Sequence, residues 1–161
     1  RRWLKGESIT LSLPMKVTTS SWYDGALVVE RGPLVYALKM NEKWEKKVFP
    51  EDFGYGPFCY EVTSTTPWNY GFRQRDLDKP ETAFSVVTRP DNGAYPWSLE
   101  AAPVSIFAKA VRIEGWQAAG GNVGPVGYFK ESGSDIGPAE TIELIPYGCT
   151  TLRIAEFPLR R

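Results

Sequence analysis

The chain has 161 residues, 42% of them hydrophobic and 14% aromatic, and its nineteen basic residues balance nineteen acidic ones. That length suits one domain with a sizeable core, and zero net charge leaves no electrostatic footprint for nucleic acid or an anionic membrane surface. Histidine is absent, which excludes a Ser-His-Asp triad, a Cys-His dyad or a His-ligated zinc site within the chain.

No apolar run approaches the length of a membrane-crossing helix. The chain begins Arg1-Arg2-Trp3 and shows no signal peptide. Residues 1–161 are therefore expected to be a single domain cut from a longer protein, with any targeting segment upstream and localisation left open.

Strand patterns dominate from the start. Ile9, Leu11, Leu13, Met15 and Val17 alternate with polar residues and Pro14. Leu27 to Val29 lead into Glu30-Arg31-Gly32-Pro33, where the Gly-Pro pair bends or bulges the chain. Leu34, Tyr36, Leu38 and Met40 then alternate with Val35, Ala37 and Lys39. That strand is apolar on both faces at its start, as a central strand should be. Asn41 to Val48 is the one stretch that could form a helical turn or two, with Trp44 among Glu and Lys residues.

Tyr60 and Val62 alternate with Glu61 and Thr63, and Phe84 to Thr88 is a further short strand. Val104, Ile106, Ala108 and Ala110 alternate with Ser105, Phe107, Lys109 and Val111. Ile142 and Leu144 precede a Pro146-Tyr147-Gly148 turn, and Leu152 and Ile154 follow it. These short strands with Pro- and Gly-rich connections predict an all-β fold, a two-sheet antiparallel sandwich of jelly-roll-like kind. The connections 41–58, 64–80, 88–103 and 115–140 read as long irregular loops, and loops of that length are usually functional or packed on something else.

Few residues qualify for chemistry. Cys59 and Cys149 lack a CxxC spacing, and two buried free thiols are the simpler alternative to a disulfide. Gly120-Gly121-Asn122-Val123-Gly124 fits neither a dinucleotide fingerprint nor a phosphate loop. Glycoside hydrolysis needs only two carboxylates, and Glu51, Asp52, Asp76, Asp78, Glu81, Asp91, Glu131 and Asp135 are available, all in polar or loop settings that read as solvated surface. Glu30 reads as a bulge-associated ion pair or hydrogen-bond anchor.

The aromatics form the remaining candidate site. Trp68 and Tyr70 in Pro67-Trp68-Asn69-Tyr70-Gly71-Phe72, with Trp97 in Tyr95-Pro96-Trp97, could stack on sugar faces as flat, low-entropy apolar surface. The spacing of two also fits one face of a strand in the core, and packing on a neighbouring domain is a third alternative. Trp3, Trp22 and Trp116 flank strands and are expected in the core.

Several segments carry a family resemblance. They are Gly6-Glu7-Ser8-Ile9-Thr10-Leu11-Ser12-Leu13-Pro14-Met15, Glu30-Arg31-Gly32-Pro33-Leu34-Val35-Tyr36, Pro67-Trp68-Asn69-Tyr70-Gly71, Ala108 to Trp116 and Leu144 to Arg153. Distributed in order over nearly the whole chain, they resemble the carboxy-terminal β-sandwich region of the glycoside hydrolase family typified by β-L-arabinofuranosidase. The resemblance implies an accessory domain beside an upstream helical (α/α) barrel, which in the family carries a cysteine nucleophile, zinc-ligating residues and an acid/base glutamate. None of those motifs occurs here. The implied role is non-catalytic, with no cofactor in this chain, zinc confined to the barrel, and the barrel as partner. The alternative is a carbohydrate-binding module for plant cell-wall polysaccharide, using Trp68, Tyr70 and Trp97.

Overall fold

A computed structural model describes residues 2, 4–50, 54, 56–90, 93, 95–124, 126 and 136–160, with the backbone alone at Pro80, Ala119 and Ile136. Trp3 and the carboxylates Glu51, Asp52, Asp91, Glu131 and Asp135 lie outside the described residues.

The chain is all-β and sandwich-like, as expected. Strands β1 (Val17–Ser21), β2 (Leu27–Arg31) and β3 (Leu34–Leu38) are joined in antiparallel register. They continue through β11 (Ile136–Pro146) to β8 (Val104–Ile113). The far edge of β8 pairs with β7 (Phe84–Thr88) along one half and β6 (Tyr70–Arg73) along the other. Two helical turns, α1 (Gln74–Leu77) and α2 (Pro80–Ala83), connect β6 to β7. The last strands are β12 (Glu156–Phe157), which pairs with β2, and β13 (Leu159–Arg160), which runs parallel to β6.

This final segment ties distant parts of the sheet together. The Phe72 amide also donates to the Pro158 carbonyl (2.8 Å), and the Leu38 amide to that of Ile154 (2.8 Å). Leu27 and Val29 from β2, Phe72 from β6, Ile106 from β8, Leu144 from β11 and Phe157 from β12 consequently share one buried cluster. The predicted alternation sets its faces. Tyr36 and Leu38, Ile106, Ala108 and Ala110, and Ile142 and Leu144 face this core. The intervening Ile145 joins a smaller cluster with Ala102 and Cys149. Burial on both faces explains why β3 reads as apolar throughout: it lies between β2 and β11.

Two turns follow from glycine. Arg31 pairs with Leu34 around Gly32-Pro33, and Gly32 has φ +59°. Glycine first and proline second in a two-residue hairpin is the type II′ pattern, so the bend is a tight turn, not a bulge. Gly120 and Gly121, at φ +59° and +81°, turn the small hairpin of β9 (Ala118–Ala119) and β10 (Asn122–Val123). Two positive φ values are what a type I′ turn demands, and this accounts for the glycine cluster.

Several expectations change. Asn41 to Val48 is not helical: β4 (Glu42–Val48) pairs along its whole length with β5 (Phe58–Ser64) as a separate two-stranded sheet. Alternating Trp44 and Val48 with Lys43, Glu45 and Lys47 suits a two-residue period, and cross-strand pairing decides it. The stretch Ile9 to Met15 has strand alternation but no ladder partner, and strand begins only at Val17. Trp116 is buried at 4% exposure, whereas Trp22 stands half-exposed with its indole N–H on Ser20 Oγ (2.9 Å). The expected loops at 41–58, 64–80 and 115–140 contain β4, β6 and the β9–β10 hairpin, respectively.

Candidate functional site

The β4–β5 hairpin leaves the main sheet and forms one wall of a cleft. Its register puts Trp44, Lys46 and Val48 on one face with Phe58, Tyr60 and Val62. The rings of Trp44 and Phe58 each meet Tyr60 edge-on at 5.7 Å, and Lys46 Nζ sits 4.0 Å from the Phe58 centroid. The opposite face carries Lys43, Glu45, Lys47 and Glu61. Hydrogen bonds from Lys43 and Lys47 hold the Glu45 carboxyl down at about 2. These charges are exposed, and such pairs add little stability.

Glu42 fastens the hairpin to the body. Its Oε1 accepts the amides of Thr151 (2.8 Å) and Leu152 (3.1 Å), while Oε2 accepts the Trp44 indole N–H (3.1 Å). Burial pushes this carboxyl up, but those hydrogen bonds outweigh it and the net shift is downward. Glu42→Gln keeps the shape and loses the charge-assisted bonds, so it is expected to cost about 1–2 kcal/mol. Chemical denaturation checks the loss, and an unchanged midpoint would show that the hairpin is held by other contacts.

Between hairpin and body lies a cleft of about 360 Å³, walled by Met40, Val62, Trp68, Leu152, Arg153 and Ile154. The β9–β10 hairpin closes another side through Ala118, Gly121 and Val123. Trp68 is half-buried against the core and meets Trp116 edge-on at 5.1 Å. The Trp116 indole N–H donates to the Gly124 carbonyl (3.0 Å), and the Asn69 side-chain amide to that of Ile113 (2.8 Å). Those bonds fix the loop that presents Trp68.

The three aromatic candidates fall in different settings. Tyr70 is 6% exposed in the core, with its hydroxyl donating to Glu140 Oε2 (2.8 Å); burial and that bond push it up to about 12. Trp97 is 42% exposed and lies against Gly148, where an added Cβ would come within 3.0 Å of its ring. Among the described residues no ring contact joins Trp97 to Trp68 or Tyr70.

The carboxylate candidates that are described do not converge. Asp76 pairs with Arg73 (2.5 Å), Asp78 accepts from Gln74 (3.4 Å), and Glu81 is exposed on α2. Both cysteines are free thiols, as expected; Cys59, expected to be buried, is instead exposed because it shares the hairpin's charged face. Burial pushes the Cys149 thiol up, which keeps it protonated and a poor nucleophile at neutral pH. No group of three metal-ligating side chains occurs among the described residues.

Sequence reasoning missed one polar cluster. Glu143 of β11 accepts from Ser105 Oγ (2.6 Å), Lys39 Nζ (3.1 Å) and Arg89 (3.2 Å), and Arg89 also donates to the Ala102 carbonyl (2.8 Å). Burial raises its carboxyl and these donors more than reverse that, leaving it lowered. Every member is paired, so the cluster anchors the segment after β7 to the sheet. A Glu between Ile142 and Leu144 was the available signal.

Two apolar surfaces remain uncovered. Ile9, Leu11 and Leu13 are 66%, 76% and 68% exposed, and Trp44, Val48, Phe58 and Tyr60 stand out on the hairpin. Comparison with protein-family models, curated proteins and solved structures found no match.

Proposed function

We propose that the chain is a non-catalytic β-domain of an arabinofuranosidase-like glycoside hydrolase, packed on and bracing an upstream helical barrel. Zinc and the nucleophile belong to the barrel in this reading. The observation that carries it is the exposed row Ile9, Leu11 and Leu13, alternating as a strand does but without a partner. Folded monomers rarely leave contiguous apolar surface uncovered, and each such side chain gains about 1.5–3 kcal/mol when buried. The docking partner would cover this row.

The double substitution Leu11→Asp, Leu13→Asp tests the reading. In the isolated chain the change is expected to stay within about 0.5 kcal/mol, because both side chains are solvated. In the full-length protein it is expected to loosen the junction with the barrel, seen as faster proteolysis between the domains. Identical proteolysis of the altered and unaltered full-length proteins would remove the bracing role.

Binding of plant polysaccharide is the second reading, favoured by the exposed ring of Trp97. Calorimetric titration with arabinan, pectic and xylan oligosaccharides decides it. Binding that disappears in Trp97→Ala supports a binding module, and absence of heat from the folded chain rejects one.

A further inference from the structure

We propose that the cleft beside Trp68 binds a small amphipathic monocarboxylate, an aryl carboxylate in chemical class, with Arg153 as its anion contact. The proposal stands independently of the bracing reading. At about 360 Å³ the cleft lies within the size range of small-molecule sites. Its walls are mainly Met40, Val62, Trp68, Val123, Leu152 and Ile154. The side-chain hydroxyls available are those of Thr63 and Ser64, and Ser64 Oγ already donates to the Thr66 carbonyl (2.7 Å). A sugar would find few side-chain partners for the hydroxyls it turns toward that wall, and each one buried without a partner is costly. A flat apolar body would not.

Arg153 supplies the polar end. Its Nε–H donates to the Thr150 carbonyl (2.9 Å), and its guanidinium carbon lies 4.7 Å from the Tyr147 ring centroid. No ion pair among the described residues uses Arg153. A guanidinium already held at its base and across its face keeps its outer N–H groups free in a planar fork, which matches a carboxylate. Much of the ordering cost of binding is therefore met before the ligand arrives. The ligand's ring would lie along the apolar wall with Trp68, and its carboxylate would meet Arg153.

Calorimetric titration of the full chain with 4-hydroxycinnamate, its methyl ester and a neutral xylo-oligosaccharide tests this. The acid is expected to bind, with the ester weaker by about tenfold for loss of the charge-assisted pair. Arg153→Gln should abolish the preference for acid over ester, and Arg153→Lys should restore part of it. Ala118→Phe, which narrows the cleft and leaves Arg153 untouched, should remove binding of both while the melting curve stays cooperative. Equal binding of acid and ester, no heat from either at about 10 mM, or tighter binding of the oligosaccharide than of the acid would overturn the proposal. The acid–ester comparison uses the unaltered chain, so it decides even if a variant fails to fold.

Discussion

Replacing Phe157 by Ala is expected to destabilise the protein by about 3–5 kcal/mol, a large part of the roughly 5–15 kcal/mol that holds a typical domain folded. The side chain has 0% exposure, and its ring meets Phe72 edge-on at 5.2 Å. Removal leaves a cavity bordered by Phe72 and Leu27, which are fixed in their own strands and cannot collapse inward. The effect extends beyond one ring, because β12 has only two residues and its ladder to β2 is correspondingly short. Burial of Phe157 is what seats the terminal segment between β2 and β6. For a chain of this size the melting temperature should fall by roughly 6–20 °C, while Phe157→Leu should recover more than half of the loss. A fall below about 1 kcal/mol in denaturant melts would show that residues 156–160 are an appendage, not a clasp.

Glu143→Gln is the second large effect, expected at about 2–3 kcal/mol. The substitution leaves Lys39 and Arg89 facing each other without their shared carboxylate, beside Ser105, which is fully buried. The cost stops short of that for a wholly buried network, because the Lys39 and Arg89 side chains are 27% and 38% exposed and water screens them. The same group gives a pH signature. Its carboxyl is lowered in the folded protein relative to the ordinary value of 4.5, so the folded state binds that proton less readily than the unfolded state. Its contribution is fully present above about pH 4.5 and is lost as pH falls through the folded value. Glu42, also lowered, titrates in the same sense. Denaturant midpoints measured from pH 7 to pH 3 should therefore fall more steeply in the unaltered protein than in Glu143→Gln. Parallel pH profiles would show that the network contributes nothing through its charge.

The bracing and cleft proposals depend on different surfaces, Ile9 to Leu13 on one hand and Trp68 with Arg153 on the other. Their tests are separable for that reason. An aspartate pair at Leu11 and Leu13 alters no residue that walls the cleft.

Alternation alone marked Tyr36 and Leu38 of β3, Ile106, Ala108 and Ala110 of β8, and Ile142 and Leu144 of β11 as one core-facing set, because side chains in a strand point to opposite faces at every second residue. The turn at Gly32-Pro33 was legible for a local reason as well: only glycine takes that backbone conformation without strain. The absence of histidine by itself excludes whole classes of chemistry from the chain. Pairing partners were not legible. Lys43, Glu45 and Lys47 around Trp44 allow a helical turn or a strand, and only the ladder to Phe58–Ser64 selects the strand. Ile9 to Met15 shows the converse: a strand pattern to which the fold gives no edge. The cleft was invisible in the sequence, since Met40, Trp68, Val123 and Arg153 are far apart along the chain and meet only in the folded structure. Local residue preferences therefore fixed the periodicity, the turns and the apolar faces. Which strands pair and which aromatics stay in solvent were decided by long-range pairing, whose energetics no local window of sequence contains.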